Sequence, residues 1–463
     1  MTKRTRAPIV CVLGHVDHGK TTLLDAVRKT NVAAKEAGGI TQSIGASVIT
    51  TKSGNKITFI DTPGHAAFSK MRSRGANVAD IVILVVDASS GVKPQTLEAL
   101  QLIKLAKIPF IVALTKIDLP SLNIEAVKGQ LEKEEVIFEG RGGDTPVVQV
   151  SARTGKGLSE LLETITLVGE VHEVHEAPNI SLEAVVIESA KDRRGIVATV
   201  VVRSGSIKVG DQISAENTSG KVRALFNYRL ESVKEIFAGE PAQILGFEDI
   251  PKVGSNISSG TSQKFPSFTS QIPTEVLEGE IPILIKAKDQ GSMEALEGSI
   301  PSGFKVIFRS LGDVNESDVL IAKAANARIF TFATNISTNV AKLAETEGIK
   351  VEKFEIIYEL IERLSEIIKK GEVEILGKAE IVALFPFNDK KIAGCKVISG
   401  KIGIKGSLIL TRDEREVGRV RIISMKKMKA EVTEVKAGEE FGVIFEPQLD
   451  FSKGDVLVSV ANK

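Results

Sequence analysis

A glycine-rich segment near the N-terminus has the residue types and spacing of a phosphate-binding loop. Gly14-His-Val-Asp-His-Gly19-Lys20-Thr21 fits the pattern G-x-x-x-x-G-K-[ST], directly after an apolar strand and before a helical pattern. Glycines let backbone N–H groups approach phosphate oxygens, and a helix N-terminus adds its positive end. We expect Lys20 to bridge the β- and γ-phosphates of a nucleotide and the Thr21 hydroxyl to ligate Mg²⁺. The predicted phosphate site comprises Gly14, His15, Val16, Asp17, His18, Gly19, Lys20, Thr21 and Thr22.

A second motif, Asp61-Thr-Pro-Gly64-His65, follows the predicted strand Lys56–Ile60. We expect Asp61 to hold Mg²⁺ through water and the Gly64 N–H to meet the γ-phosphate. Thr41 lies between the two motifs, in a loop that can close over the metal. Loss of the γ-phosphate would release this loop. Enzymes that hydrolyse a nucleoside triphosphate use such an order–disorder change as a switch.

A third and a fourth motif predict the choice of base. Thr115-Lys-Ile-Asp118 and Ser151-Ala152 each follow a predicted strand. The Asp118 carboxylate can accept both guanine N1–H and N2–H, a donor pair that adenine lacks, and Lys116 can lie over the ring. The Ala152 backbone N–H can meet guanine O6. Four such motifs in order predict a GTPase whose guanine site comprises Thr115, Lys116, Asp118, Ser151, Ala152 and Arg153.

Three of the five histidines, His15, His18 and His65, fall within these motifs. His65 takes the position at which other GTPases of this kind carry a water-orienting Gln. Our hypothesis is that its imidazolium orients the attacking water and offsets transition-state charge. Val16 and Ile40 could form an apolar gate that keeps His65 turned away until a partner acts.

Apolar strands alternate with helical stretches over residues 7–170, and these elements must position the motifs. The alternation predicts a parallel sheet covered on both faces. The predicted strands are Ile9–Leu13, Lys56–Ile60, Ile81–Val86, Phe110–Leu114 and Val147–Val150, and the predicted helices are Thr21–Lys29, Gln95–Lys107 and Leu158–Thr166.

The pattern of predicted strands and helices changes after Pro178. Residues 180–262 and 372–463 are rich in short strands broken by glycine turns, which is typical of antiparallel barrels. Residues 281–349 alternate strands and helices again and predict a second, smaller α/β unit. Ile356–Lys370 has apolar residues at helical spacing and ends at Gly371, a plausible helix C-cap.

The amino-acid composition excludes several functional classes. The 463 residues carry 60 Lys plus Arg against 59 Asp plus Glu, which argues against a globally basic nucleic-acid coat. Two cysteines, Cys11 and Cys395, cannot build a disulfide framework and point to a reducing compartment. No apolar run approaches the roughly 20 residues of a membrane span. We therefore expect a cytoplasmic protein that does not bind membranes.

The motifs together resemble a known family. Those of the first domain resemble the translational GTPases, and specifically bacterial translation initiation factor two, as do segments of the later domains. They are Gly14–Thr21, Gly38-Gly-Ile-Thr41, Asp61-Thr-Pro-Gly-His65, Val92-Lys-Pro-Gln-Thr96, Ala287-Lys-Asp-Gln-Gly-Ser292, Ile392-Ala-Gly-Cys395 and Gly418–Glu440. The resemblance covers nearly the whole chain from residue 7.

The resemblance implies a multidomain α/β plus β fold. Its parts would be a P-loop GTP-binding domain (1–176), a β-barrel (177–262), a linker (263–280), an α/β/α domain (281–355), a connecting helix (356–370) and a C-terminal β-barrel that binds initiator tRNA (371–463). The family's long N-terminal region is expected to be absent.

The implied activity is delivery of formylmethionyl initiator tRNA to the small ribosomal subunit and promotion of subunit joining, with ribosome-stimulated hydrolysis of GTP to GDP. Mg²⁺ would be the metal. The implied partners are both ribosomal subunits, initiator tRNA and other initiation factors, with the protein itself a monomer.

The resemblance also assigns residues. Lys20, Thr21, Thr41 and Asp61 would serve phosphates and Mg²⁺, His65 catalysis, and Lys116, Asp118, Ser151 and Ala152 guanine. In the last barrel, Cys395, Lys426, Lys427, Lys429, Glu440 and Gly442 match positions around the formylmethionine and the tRNA 3′ end. Arg419, Arg421, Lys426, Lys427 and Lys429 put five cations within eleven residues with no acid among them. Such a patch suits an RNA backbone, although a solvated basic strand would look the same.

Three residues depart from the family pattern. Thr115 replaces the usual Asn of the guanine motif, so guanine affinity should be weaker while Asp118 preserves specificity. Met428 stands where an aromatic residue is usual and Phe441 where a cysteine is usual. We expect both to line or adjoin the formylmethionine pocket, with Phe441 filling volume that Met428 no longer supplies.

Two alternatives stay open. Met428 and Phe441 would also fit a ribosome-dependent GTPase of another role, which reads a different tRNA end or ribosomal state. A metabolic GTPase that drives a partner enzyme is a second alternative, against which the third domain and the terminal barrel argue.

Overall fold

The computed structural model describes residues 6–30, 41–120, 122–175, 181–260, 280–370, 375–387, 390–404, 407–412, 415–428, 430–447 and 449–460. The chain divides into two compact units, Met1–Glu362 and Arg363–Lys463. The predicted linker 263–280 lies outside the described residues except for residue 280, as do Gly371 and Pro178. Within the described part of the chain, no helix is long and apolar enough to cross a membrane.

The first sheet has six strands in the order β2-β3-β1-β4-β5-β6. Its strands are β1 (Ile9–Gly14), β2 (Gly45–Thr50), β3 (Lys56–Asp61), β4 (Ile81–Asp87), β5 (Phe110–Thr115) and β6 (Val147–Gln149). Its helices are α1 (Lys20–Arg28), α2 (Ser69–Val78), α3 (Pro94–Ala106), α4 (Ile124–Lys133) and α5 (Leu158–Val171).

Five of these strands are parallel, but the sixth corrects the sequence prediction. The unpredicted strand β2 pairs antiparallel with β3 at the sheet edge. A tight turn joins the two strands, in which the Thr51 N–H donates to the Asn55 carbonyl and Gly54 has φ +86°. A turn this short can reverse the chain but cannot hold the crossover that parallel pairing needs. The prediction of an entirely parallel sheet is therefore wrong at this edge.

The sheet is buried on both faces, as predicted for a parallel core. Along β4, Val82, Leu84 and Val86 pack into one apolar cluster, whereas Ile81, Ile83 and Val85 pack into another on the opposite face. Successive side chains of a strand point to opposite faces, so a strand covered on both sides is apolar throughout. The four motif loops leave this sheet at the carboxyl ends of β1, β3, β5 and β6.

The second domain is an antiparallel barrel. Six strands close in the order β10-β15-β7-β8-β14-β11, with β11 paired back to β10, around a Val- and Ile-rich interior. The strands are β7 (Glu183–Asp192), β8 (Gly195–Ser204), β9 (Ser206–Lys208), β10 (Gln212–Ser214), β11 (Ser219–Phe226), β12 (Ser232–Val233), β13 (Glu235–Phe237), β14 (Pro241–Phe247) and β15 (Asn256–Ser259).

The third domain has a parallel sheet of order β17-β16-β18-β19. Its elements are β16 (Ile281–Ala287), α6 (Gln290–Glu297), β17 (Phe304–Leu311), α7 (Glu316–Ala324), β18 (Arg328–Phe332), α8 (Thr338–Thr346) and β19 (Val351–Phe354). Asp289, Asn315 and Ser337 cap the three helices by accepting a backbone N–H of the first turn. Helix α9 (Ile357–Lys370) follows, as the apolar spacing predicts.

The C-terminal unit is a second six-stranded barrel, closed in the order β20-β27-β22-β23-β26-β21 with β21 paired to β20. Its strands are β20 (Ile375–Phe387), β21 (Lys390–Gly403), β22 (Ser407–Arg412), β23 (Arg415–Lys427), β24 (Ala430–Glu431), β25 (Glu434–Lys436), β26 (Glu440–Glu446) and β27 (Val456–Val460). The architecture confirms the predicted fold class of α/β domains combined with two barrels.

Candidate functional site

The glycine-rich loop joins the end of β1 to the start of α1, as its sequence predicts. Gly14 and Gly19 have φ of +149° and +84°, values that side chains rarely allow. A Cβ on Gly14 would lie 2.4 Å from the Val85 carbonyl oxygen, so only glycine fits there. The loop therefore presents its backbone at the N-terminus of α1, where anions bind favourably.

Lys20 is buried beneath this loop, with 6% of its surface exposed. Its Nζ donates to the carbonyls of Gly14 (3.0 Å) and His15 (2.7 Å). Burial lowers the pKa of Lys20 to about 8, and the negative charge of Asp61 opposes that shift. A Cβ on Gly64 would lie 2.4 Å from this Nζ, so the second motif lies directly against the first.

Two hydroxyls predicted to ligate Mg²⁺ meet beside Lys20. Thr21 Oγ1 and Thr41 Oγ1 lie 2.7 Å apart, although the two residues come from separate segments of the chain. Asp61, at the end of β3, is 4% exposed. Hydroxyl and carboxylate oxygens are the ligands that Mg²⁺ prefers, so these residues fit the metal that the sequence predicts.

The guanine motifs meet at the ends of β5 and β6. The exposed Asp118 carboxylate accepts a hydrogen bond from the Ser151 hydroxyl at 2.7 Å, and this bond lowers the pKa of Asp118. Thr115 is buried and its hydroxyl donates to the His18 carbonyl at 2.7 Å. Lys116 has φ +59° and forms an ion pair with Asp87 at 2.8 Å. Thr115 thus ties the base motif to the phosphate loop, and the ionised Asp118 remains accessible.

His18 is 2% exposed and packs inside the domain. Its Nδ1 lies 3.4 Å from the Val85 carbonyl oxygen and 3.3 Å from the Asp87 backbone nitrogen. Burial lowers the pKa of His18 to about 4, so the imidazole is neutral near pH 7. The His18 side chain is therefore part of the packed interior beneath the phosphate loop.

His65 opens a short 3-10 helix, Ala66–Phe68, and its Nδ1 accepts the Ala67 N–H at 2.9 Å. Burial lowers the pKa of His65, and the positive charge of Arg72 lowers it further. Both effects favour the neutral ring in the free chain, whereas the imidazolium expected during hydrolysis stays a prediction. Of the predicted apolar gate, Val16 lies against Gly64, whereas Ile40 falls outside the described residues.

Sequence reasoning missed Arg72, which is fully buried in α2. Its guanidinium donates to the carbonyls of Pro63 (3.1 Å) and His65, and to both carboxylate oxygens of Glu98 at 2.6 and 2.8 Å. We call these contacts the Arg72 clamp. It holds the loop that carries His65 against helix α3. No local motif marks Arg72, because its carboxylate partner Glu98 lies 26 residues away in the sequence.

Three adjacent strands of the C-terminal barrel bring together the residues predicted to surround the tRNA end. Gly442 of β26 pairs with Gly394 of β21 on one side and with Lys426 of β23 on the other. Cys395 and Phe441 form another cross-strand pair, and both side chains point into the apolar interior. Burial raises the pKa of the Cys395 thiol to about 12. Glu440, in contrast, is exposed.

The expected exchange of volume between Met428 and Phe441 is wrong. Phe441 is 4% exposed inside the barrel, whereas Met428 is 94% exposed at a turn with φ +47°. An exposed side chain at a turn and a side chain in the barrel interior do not share one space, so neither can fill the volume of the other. Lys429 lies outside the described residues.

The cationic strand is also less isolated than its sequence implies. Acids from neighbouring segments approach it: Arg421 pairs with Glu446 at 3.1 Å and Lys427 with Glu439 at 2.6 Å. Lys426 lies 4.0 Å from Glu431. Arg419, Arg421 and Lys426 are nevertheless exposed, so a basic face remains available on β23.

Models of three protein families match parts of this chain. The Elongation factor Tu GTP binding domain family matches residues 5–170, Elongation factor G domain 2 matches residues 181–260, and Translation-initiation factor 2 matches residues 255–365.

Similar proteins share most of this chain. It is 41% identical to Translation initiation factor IF-2 of Dehalococcoides mccartyi over 98% of this chain and 82% of that protein. It is 39% identical to the factor of the same name from Parvibaculum lavamentivorans, again over 98% of this chain, but spans 56% of that longer protein. Among solved structures, GDP-bound aIF5B from Aeropyrum pernix covers 99% of this chain, with 92% of its own length matched, 28% identity and a TM-score of 0.47.

Proposed function

The chain belongs to the translation initiation factor IF-2 family of translational GTPases, and on that premise we propose that it binds GTP and hydrolyses it at the site described above. The observation that carries this proposal is the approach of the Thr21 and Thr41 hydroxyls to 2.7 Å. Thr21 lies in the first turn of α1 and Thr41 lies in a separate segment of the chain, so one cation beside Lys20 could be bound by both hydroxyls.

The phosphates would lie along the backbone of residues 14–22, at the N-terminus of α1. Lys20 would turn from its two carbonyl partners toward phosphate oxygens, because an anion offers a buried ammonium a stronger interaction than a neutral carbonyl. Gly64 leaves room for that approach. Thr21, Thr41 and Asp61 would hold Mg²⁺, which supplies positive charge to the phosphates when bound.

Base selection would rest on Asp118. Its lowered pKa keeps it ionised at neutral pH, so it can accept only, and guanine N1–H and N2–H offer the matching donors. Ser151 fixes one carboxylate oxygen. Ala152 and Arg153 follow Ser151 on the same loop, where the Ala152 N–H would meet guanine O6.

His65 would act as a neutral ring that orients water. Its Nδ1 accepts the Ala67 N–H, so the ring proton of the neutral form is on Nε2. An Nε2–H donor can hold a water oxygen or a developing negative charge. The ring would act by orientation and hydrogen bonding, since a neutral imidazole carries no charge to offset the transition state.

Hydrolysis measurements test this site. We expect His65→Ala to retain GTP binding and to lose most ribosome-stimulated hydrolysis, whereas Lys20→Ala should lose nucleotide binding itself. Undiminished stimulated hydrolysis by His65→Ala would remove His65 from the mechanism. Asp118→Asn supplies a control for the base, because it should weaken guanine binding without altering the phosphate loop.

We further propose that the protein delivers formylmethionyl initiator tRNA to the small ribosomal subunit and promotes joining of the large one in the cytoplasm. The C-terminal barrel would receive the tRNA end at β21, β26 and β23, where Gly394, Gly442 and Lys426 are adjacent. Glycines keep that surface open, and exposed cations beside it suit an RNA backbone. Interior placement of Phe441 weakens the alternative of a factor with another role, since Phe441 would not alter the surface of the pocket.

Titration with formylated and unformylated initiator tRNA tests this second proposal. We expect the formylated form to bind more tightly. Formylation removes the positive charge of the methionine amino group, and the neutral group fits a pocket with few charged groups. Equal binding of both forms, or binding of neither, would refute the assignment. Subunit-joining kinetics with and without the protein separate an initiation factor from another ribosome-dependent GTPase.

A further inference from the structure

The ring of Tyr358, in the first turn of α9, lies against the ring of His65. Their centroids are 3.8 Å apart and their planes meet at 82°, an edge-to-face contact. The separation leaves no space for a water molecule between the rings. Phe68 approaches His65 less closely, at 6.0 Å. Tyr358 is therefore the aromatic residue that covers the histidine assigned to hydrolysis.

A second contact fixes the start of α9 to the neighbour of Thr41. The Gln42 side-chain amide donates from Nε2 to the Glu355 carbonyl at 2.8 Å, and its Oε1 accepts the Ile357 N–H at 3.2 Å. The two bonds lie immediately before Tyr358 in the chain. The first turn of α9 is thus joined to both loops that are predicted to sense the γ-phosphate.

His65 is also held by contacts with residues that follow it in the chain. Ala67 N–H occupies its Nδ1, and Arg72 donates to its carbonyl oxygen. Burial raises the pKa of the Tyr358 phenol, and the charge of Asp17 raises it further, as expected if the phenol reaches over the phosphate loop. The imidazole is therefore confined between its own loop and Tyr358.

We propose that Tyr358 is a positioning residue that holds His65 in a retracted orientation and so suppresses GTP hydrolysis until the first turn of α9 moves. This inference rests on the proposed role of His65 in hydrolysis. A partner that shifts α9 would free one face of the imidazole for water. The same movement would break the two Gln42 bonds, so release of His65 and separation of Gln42 from the start of α9 would occur together.

Variants at Tyr358 measure the suppression. Loss of one edge-to-face contact should raise the ribosome-free hydrolysis rate of Tyr358→Ala by about threefold to tenfold. KM for GTP should be unchanged, since the ring of Tyr358 packs against His65, which would act in hydrolysis and not in nucleotide binding. Tyr358→Phe keeps the ring and should hydrolyse GTP at the parental rate. Glu362→Ala, an exposed change on the same helix, is the matched control.

The outcomes separate this inference from the proposed function. An unchanged or lower kcat for Tyr358→Ala, beside a normal ribosome-stimulated rate in the parent, would overturn the suppressing role alone. Absence of stimulated hydrolysis in the parent would refute the GTPase proposal and the inference with it. Tyr358→Leu keeps apolar packing on α9, so a folding defect in Tyr358→Ala can be recognised by comparing the two variants.

The amino-acid composition permits a fluorescence measurement that does not depend on catalysis. The chain has two tyrosines and no tryptophan, so Tyr228→Phe leaves Tyr358 as the sole emitter at tyrosine wavelengths. In that background, His65→Ala should expose the Tyr358 ring and increase its collisional quenching by acrylamide. An unchanged quenching constant would show that the rings do not meet in solution and would overturn the inference.

Discussion

Removing the Arg72 side chain should release the loop that carries His65. Arg72→Ala deletes a guanidinium that is fully buried and that bonds two backbone carbonyls and both carboxylate oxygens of Glu98. The carbonyls of Pro63 and His65 would lose their donor. Glu98 would keep a charge without the cation that faces it.

The expected free-energy cost of Arg72→Ala follows from the burial of the ion pair between Arg72 and Glu98. Breaking one side of a buried ion pair costs about 3–5 kcal/mol, because a charge is left without compensation. Glu98 is 29% exposed, so water can solvate part of the stranded carboxylate and the cost should lie near the lower limit. We expect about 3 kcal/mol, which corresponds to about a 150-fold increase in the opening equilibrium of the loop.

Hydrogen exchange measures this opening at the amides of residues 62–78, which avoids assigning one unfolding free energy to a chain of several domains. Arg74→Ala is the matched control: it lies on the same helix, but its ion pair is with Glu294 of α6. It should leave exchange in the loop nearly unchanged. An increase below about fivefold for Arg72→Ala would refute the clamp as the main restraint on this loop.

Three further predictions concern other residues of the candidate sites. Thr115→Val keeps the side-chain volume but removes the donor to the His18 carbonyl, so GDP affinity should fall about threefold to tenfold by calorimetry, with Thr115→Ser as the conservative control. The folded pKa of His18 is about 4 against an ordinary 6.5, so the unfolded chain binds the proton first. The urea midpoint of the first unfolding transition should therefore fall as pH decreases from 6.5 toward 4, and His18→Asn should reduce that dependence. Lys426→Ala should lower the slope of log tRNA affinity against log salt concentration by about one, and an unchanged slope would remove Lys426 from the RNA contact.

The candidate nucleotide site could be predicted from sequence because the chemistry of such a site is local. A phosphate loop needs consecutive backbone N–H groups between a strand and a helix, and Gly14–Thr21 supplies these within eight residues. The guanine motif is equally short. Strand positions were predictable as well, since the apolar residues of β4 are continuous and indicate burial on both faces.

Contacts between distant segments could not be predicted from local sequence motifs. Nothing near Arg72 in the sequence indicates Glu98 as its partner, and nothing near Tyr358 indicates a contact with His65. The acids that face Arg421 and Lys427 come from other segments, so a count along one strand overstated its free charge. The lowered pKa of His65 was not predictable either, because it follows from the burial of the ring and the charge of Arg72 in the folded chain.

The sequence by itself determined the type of loop, the base it selects and the class of fold, because these depend on residues that are neighbours in the chain. Tertiary structure decided which side chains are buried, which charges face each other and which ring covers His65. Those properties depend on distances between segments, and only the packed chain brings Gln42, His65, Arg72 and Tyr358 into one neighbourhood.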